Sequence, residues 1–230
     1  MKLIDFIDCI YYINIDTRTD KNEEAIRQLT ELGLIEKVKR FNAIKPTDIG
    51  CKLQDNGLYT VQEYSRCAAL SHFNIIKDAT ENKFKNILVF EDDFHFLNDE
   101  DSNALDNIEK ALDQLQDIKD WDIFFVGGNL IDSELKYVSD NIIKINEIVC
   151  SHAYILNERS YQNVLSQYDN TIFIDCYLSQ HLKNKYVVSP VSVIQKYVNS
   201  VDIILENRNF TPDVTFWKES YNKPKIRITS

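Results

Sequence analysis

The sequence predicts an α/β fold in which a mixed, mainly parallel sheet is flanked by helices. Short apolar runs of strand length recur along the chain, and amphipathic segments with helical period lie between them. The later extended pieces sit close enough in sequence to add antiparallel strands.

Residues 9–15 (CIYYINI) are the first apolar run and read as a buried strand that ends at the polar turn Asp16-Thr17-Arg18-Thr19. A helix is expected next, with Asp20 as N-cap, Glu23 completing a capping box and Gly33 at its C-terminal stop. Ala25, Leu29 and Leu32 form its apolar stripe. Residues 38–44 read as a second strand. Residues 45–59, with Pro46, Gly50 and Gly57, read as a loop of the long kind that often carries function. A helix is predicted over 61–79 with Tyr64, Ala68, Ile75 and Ile76 on one face.

Residues 86–90 (NILVF) are the clearest buried strand, and they run directly into Glu91-Asp92-Asp93. After an acidic loop containing Asp99, Glu100 and Asp101, residues Leu105, Ile108, Leu112 and Leu115 mark another amphipathic helix. Residues 121–126 (WDIFFV) form a strand ending at Gly127-Gly128-Asn129, and extended pieces around Tyr137 and Ile143 suggest a hairpin. A strand at 153–156 and a helix at 158–167 follow. Residues 172–174 lead into Asp175 and a further helix, and 187–195 are extended around Pro190. In such sheets ligands gather beyond the carboxyl ends of the strands, so the polar groups at 16–18, 91–93 and 127–129 are expected to converge on one edge.

Composition narrows the partners. With 230 residues, 44% hydrophobic and 27% charged, and only five Gly and four Pro, the chain reads as one continuous domain. A net charge of −10 makes nucleic acid and anionic lipid poor default partners. The five cysteines form no CxxC pair, so neither a zinc site nor a disulfide framework is expected. No signal peptide and no apolar run of transmembrane length is apparent, so the expectation is a cytoplasmic protein without a membrane span.

Three consecutive carboxylates after an apolar strand are costly without a partner. On an extended chain Glu91 and Asp93 point to one side, ~7 Å apart, and Asp92 to the other. At an effective dielectric of about 20 such a pair repels by roughly 2.4 kcal/mol. A divalent cation converts that repulsion into binding, and carboxylate oxygens suit Mg2+ or Mn2+. A solvated acidic turn is the competing explanation, and the wholly apolar strand before the triplet weighs against it.

These residues stand in a longer series: Tyr12-Ile13-Asn14-Ile15-Asp16 with Arg18, Arg40-Phe41-Asn42-Ala43, Ser71-His72, and Leu88-Val89-Phe90-Glu91-Asp92-Asp93. Trp121-Asp122, Ala153-Tyr154-Ile155, Asp175, and Pro190 with Gln195 complete it. The series covers most of the chain and resembles glycosyltransferase family 25, which includes bacterial lipooligosaccharide and procollagen galactosyltransferases. The resemblance implies a GT-A-like, Rossmann-like nucleotide-sugar fold, a donor such as UDP-galactose, a divalent cation (Mn2+ or Mg2+), and transfer with inversion. One departure stands out: Cys67-Ala68 lies where the family usually carries Gly-Cys, which leaves the shape of the donor pocket and the identity of the sugar open.

By this resemblance residues from 1 to about 130 bind the donor, about 131–210 carry acceptor binding and catalysis, and 211–230 form a tail. Asp93 and Glu91 are the expected metal groups. Asn14, Asp16, Arg18, Ala43, Ser71, His72, Glu91, Asp92 and Gly127 are expected at the donor. Spacing alone leaves Arg18 open between a phosphate contact and a surface role, and Asp16 suits a turn as well as a site. A buried, satisfied histidine is the competing reading of His72, and His95, near the triplet, fits a reach to the metal and a half-exposed strand equally well. Gly127 and Gly128 suit either a close ligand approach or a tight turn.

Inverting transfer needs a general base for the acceptor hydroxyl, and Asp175 is the candidate. From the residues alone a helix N-cap explains Asp175 equally well, and the resemblance favours catalysis. Gln195 and Ser200 match late positions without a defined role. The expected function is transfer of a hexose, galactose or glucose, from a nucleotide diphosphate sugar to a hydroxyl of a glycan or protein. A non-catalytic nucleotide-sugar or glycan-binding protein is the alternative. Residues 15–19 superficially resemble the DxDxT of phosphatases, but Arg18 replaces the second Asp and removes the acid/base. A nucleotidyltransferase sharing the fold is harder to exclude, although its expected Gly-rich, basic loop after the first strand is missing.

Overall fold

The computed structural model describes residues 1–98, 103–150, 152–166, 173–196 and 214–228. Asp99, Glu100, Asp101, Gln167, Ile172 and Ser200 lie outside the described residues.

The helices are α1 (Leu3–Phe6), α2 (Thr19–Glu31), α3 (Val61–Glu81), α4 (Ala104–Leu115), α5 (Glu158–Ser166), α6 (Ile174–His181) and α7 (Val214–Ser220). The first strands are β1 (Cys9–Asn14), β2 (Val38–Asn42), β3 (Asn86–Glu91), β4 (Phe94–Phe96), β5 (Ile123–Phe125) and β6 (Asn129–Leu130). The hairpin pieces are β7 (Leu135–Tyr137), β8 (Ile142–Ile145) and β9 (Ile148–Val149), followed by β10 (Ala153–Asn157), β11 (Lys185–Val188), β12 (Val193–Gln195) and β13 (Lys225–Arg227).

Among the described residues nine strands form one sheet in the order β13-β7-β8-β11-β5-β10-β3-β1-β2. The pairings leave β8 and β10 running against the other members, so the sheet is mixed and mainly parallel, as the sequence predicts. The expected hairpin is the antiparallel β7–β8 pair. Two small pairs, β12–β4 and β6–β9, stand beside the sheet at the end where the site lies.

Strand alternation divides the core into two layers. Tyr11, Ile13, Ile87 and Val89 face a cluster with Phe73, Ile76, Val164 and Tyr177 from α3, α5 and α6. Ile10, Tyr12, Leu88 and Phe90 face the other cluster, with Leu29 of α2 and Ile108 and Leu112 of α4. Both faces of the central strands are therefore covered, which explains their continuous apolar runs.

One helix start differs from the sequence reading, while α3 begins at Val61 as expected. Helix α2 begins at Thr19 with Arg18 at the N-cap position, and Asp20 sits in its first turn. Asp20 does not cap because its carboxylate binds the Arg18 guanidinium, with Nε at 3.0 Å and Nη2 at 2.9 Å. Helix α3 carries the capping box instead: Thr60 Oγ1 accepts from Glu63 N at 3.1 Å, and Glu63 Oε2 accepts from Thr60 N at 2.7 Å. Gly33 ends α2 as expected, at φ +69°.

Candidate active site

A cavity of about 340 Å³ opens at the carboxyl ends of β1 and β3, and its lining includes Arg18, Lys21, Ala43, Ser71, His72, Glu91, Asp92, Asp93, Asp175 and Gln195. Because β10 runs opposite to β3, its amino end also reaches this edge: Ala153 pairs with Phe90, and Glu91 N donates to His152 O at 3.0 Å. The topology thus brings together residues separated by more than a hundred positions.

The triplet divides as strand geometry predicts. Gln195 Nε2 donates to Asp93 Oδ2 at 3.2 Å and lies 3.4 Å from Glu91 Oε2, so both carboxylates face one amide. Asp92 points the other way and accepts from Asn14 Nδ2 at 2.9 Å. Gln195 is held in register because β12 pairs with β4, Gln195 opposite Phe94, and Lys196 N donates to Asp93 O at 2.8 Å.

The three carboxylates have different electrostatics. Burial first, and then the charge of Glu91, push the Asp93 carboxyl up to about 8. Its Oδ1 is buried and lacks a hydrogen-bond partner. Burial also raises Asp92, against the hydrogen bond from Asn14. Burial opposes the charge on Glu91 too, but the hydrogen bond with His72 outweighs it and holds Glu91 below the usual range. His72 is fully buried, with Nε2 3.2 Å from Glu91 Oε1 and Nδ1 2.7 Å from Tyr154 Oη.

Cations approach from α2 and the segment after β2. Arg18 lies on the cavity wall beside Asp92 and Asp93, its guanidinium kept protonated first by the hydrogen bond to Asp20, which is itself pulled down to about 2. Lys21, only 8% exposed, points its Nζ at Lys196 O at 3.3 Å, and its charge opposes the upward shift of Asp93. Lys45 also lines the cavity.

Other expected donor residues fall into three groups. Ala43 lines the cavity. Ser71 does too, although its hydroxyl is fully used, donating to Cys67 O at 2.8 Å and accepting from Ile44 N at 2.9 Å. Asn14 and Asp16 stand behind the lining. Asn14 is buried, accepts from Arg40 Nη2 at 2.9 Å and links it to Asp92, whereas Asp16 is exposed against Arg40, Asn42 and Lys45. Gly127 is not brought to the cavity. A Cβ there would lie 2.2 Å from Val193 O and 2.7 Å from His152 Nε2, so its missing side chain makes room for β12 and a buried histidine. His95 lies on β4 among the charges of Glu24, Arg27 and Lys196.

Asp175 lines the cavity from the first turn of α6. The N-cap position belongs to Phe173, and the Asp175 carboxylate accepts from Cys150 N at 3.2 Å and Cys176 N at 2.8 Å. It therefore ties α6 to the chain entering β10 while facing the cavity.

Four residues gain a place that the sequence reading does not assign. Lys21 reads as an ordinary helix-surface lysine, and only its position one turn after Arg18 hints otherwise. Gln195 matches the family series without a role, Tyr154 reads only as a strand residue, and His152 carries no signal of its own.

Among the described residues no group of three or more His, Cys, Asp or Glu is arranged to hold a divalent cation. Two carboxylates with one buried, unpartnered oxygen nevertheless fit a cation of the magnesium type, which is bound through one or two carboxylates with substrate phosphates and water completing its shell.

No protein-family model and no curated protein sequence matches the chain. Similar solved structures include a mannose-1-phosphate geranyltransferase from Thermus thermophilus, 10% identical, covering 78% of this chain and 72% of that one at a TM-score of 0.44. UDP-glucose pyrophosphorylase complexed with UDP-glucose is 12% identical, with 86% and 79% covered and a TM-score of 0.44. A glycosyltransferase involved in glycosylation of the major capsid of PBCV-1 is 11% identical, with 86% and 98% covered and a TM-score of 0.46. At such identities the likeness concerns the course of the chain and bears on no residue's role.

Proposed function

We propose that the protein is a metal-dependent, inverting glycosyltransferase of the family 25 type. It moves a hexose, galactose or glucose, from a nucleotide diphosphate sugar, UDP-linked by the resemblance, to a hydroxyl of a glycan or protein. The observation that carries this reading is the Asp93 carboxyl: half-buried, pushed up to about 8, with one buried oxygen unpartnered, and facing a cavity that Arg18, Lys21 and Lys45 also line. An acidic cluster edged by cations suits a ligand that brings phosphates and a divalent ion together.

In this reading Asp93 holds Mn2+ or Mg2+ directly and Glu91 supports it. The ion, when bound, neutralises charge on the departing diphosphate. Arg18 and Lys21 face the phosphates, Asn14 and Asp16 brace the wall behind them, and Ala43, Ser71 and His72 shape the pocket. Asp175 takes the proton from the acceptor hydroxyl as its oxygen bonds to the anomeric carbon. The bond from that carbon to the phosphate oxygen breaks, and the nucleoside diphosphate leaves. Residues from 1 to about 130 then serve the donor and about 131–210 the acceptor.

Transfer assays with a panel of nucleotide sugars and Mn2+ test the proposal. Asp175→Asn should retain donor binding and lose transfer by ~100-fold or more. Undiminished transfer in that variant removes Asp175 as the base. Donor binding without turnover by the unmodified chain on any acceptor favours the non-catalytic binding protein.

A further inference from the structure

Glu91 is the member of the triplet that is held by a buried histidine. Its Oε1 meets the Nε2 of His72 at 3.2 Å, and the Nδ1 of the same ring meets the hydroxyl of Tyr154 at 2.7 Å. Both His72 and Tyr154 are fully buried, on α3 and β10 respectively, and their rings stack with centroids 5.7 Å apart. Three elements on two layers of the fold are thus joined through one imidazole.

For a neutral His72 ring the hydrogen-bond inventory leaves one consistent arrangement. An ionised carboxylate only accepts, so Nε2 must carry the proton it gives to Glu91. In the neutral ring Nδ1 is then an acceptor, and the Tyr154 hydroxyl must donate to it. Each group is satisfied, with the carboxylate end pointing at the cavity. The same device, an imidazole fixed at its far nitrogen so that the near one presents a defined hydrogen bond, orients groups at many polar sites.

We propose that Tyr154 and His72 form a positioning relay that locks Glu91 in one rotamer as a fixed hydrogen-bond acceptor, leaving the neighbouring Asp93 oxygen as the group available to a cation. His72 and Tyr154 are positioning residues with no direct contact to substrate, and this moves His72 from the donor contact that the family resemblance implies to a support beneath it. The consequence for the donor rests on the glycosyltransferase reading; the relay itself does not.

The relay is tested on the full-length protein by long-range nitrogen–proton NMR with labelled histidine, the His72 signals being assigned by their loss in His72→Gln. At pH 7.5 the expected result is a neutral ring protonated on Nε2, with Tyr154→Phe shifting Nδ1 downfield and Glu91→Gln shifting Nε2. A ring protonated on Nδ1, or one unmoved by Glu91→Gln, overturns the proposal. Should a variant fail to fold, the tautomer of the unmodified protein still decides it.

A second arm measures Mn2+ affinity by titration, with the metal alone as probe. His72→Gln should weaken it about tenfold, the usual scale for a group that orients a ligand, and an unchanged affinity overturns the positioning role. If no nucleotide sugar binds the unmodified protein while the tautomer is the expected one, the glycosyltransferase reading falls and the relay stands.

Discussion

The two ends of the same central strands are both rich in polar groups, and they treat them differently. At the amino end Asp8 Oδ2 accepts from Lys85 N at 2.6 Å and Asn86 N at 3.1 Å. Asn86 in turn bonds Phe6 O and accepts from Asn157 Nδ2 at 3.0 Å. Nearby, Asp122 Oδ2 accepts from Lys183 N at 3.2 Å and Asn184 N at 3.0 Å. Each carboxylate there closes a backbone gap. At the carboxyl end Glu91, Asp92 and Asp93 stand side by side, two of them pushed up by burial, with one oxygen left over. One end holds the fold together, and the other retains an imbalance that a ligand can resolve. Removing a group should therefore cost stability at the first end and binding at the second.

The largest separation is expected for Asp93→Asn. Transfer should fall by ~100-fold or more as the cation loses its oxygen ligand. The melting temperature of the ligand-free protein should hold or rise, because burial already disfavours the charge being removed. A clear loss of stability would make Asp93 a structural group. The mirror case is Asp122→Ala. It removes the acceptor of the Lys183 and Asn184 amides and should cost about 0.5–1.5 kcal/mol, lowering the melting temperature in calorimetry while donor affinity is retained. Gln195→Leu is intermediate: it unties Glu91 from Asp93 and should weaken Mn2+ binding about tenfold in a metal titration.

The smallest effect belongs to Asp78, on α3 against Tyr11 of β1 and Lys39 of β2. Burial raises its carboxyl, but hydrogen bonds from Lys39 and Tyr11 outweigh that and hold it low. A depressed folded-state value stabilises above the unfolded carboxylate pKa of about 3.9 and is lost as pH falls through the folded one. Asp78→Asn should thus melt slightly lower near pH 7, and the gap should close below about pH 4.

What the sequence discloses follows from the same contrast. The runs at 9–15 and 86–90 are apolar on both faces because both faces are covered, and that is visible without coordinates. Period-two geometry correctly separates Asp92 from Glu91 and Asp93. The cap of α2 is misplaced because Asp20 meets Arg18, a pairing that local pattern does not rank above capping. Gly127 suggests a ligand because a sequence does not show that Val193, sixty-six residues later, presses against it. The partners of the triplet are hidden for the same reason. His72 reaches Glu91 from α3, Tyr154 backs it from the reversed strand β10, and Gln195 arrives through the side pair β12–β4. Roles set by long-range packing are the ones that spacing does not carry.

The most direct test of the carboxyl-end account is a thermal-shift measurement with UDP-hexoses, with and without Mn2+, on the unmodified protein and Asp93→Asn. A donor present at about 100 times its dissociation constant should stabilise the fold by about 2.7 kcal/mol. The account predicts a rise in melting temperature that needs both Mn2+ and donor and disappears in Asp93→Asn. No metal-dependent rise with any donor, or an equal rise in the variant, would contradict it.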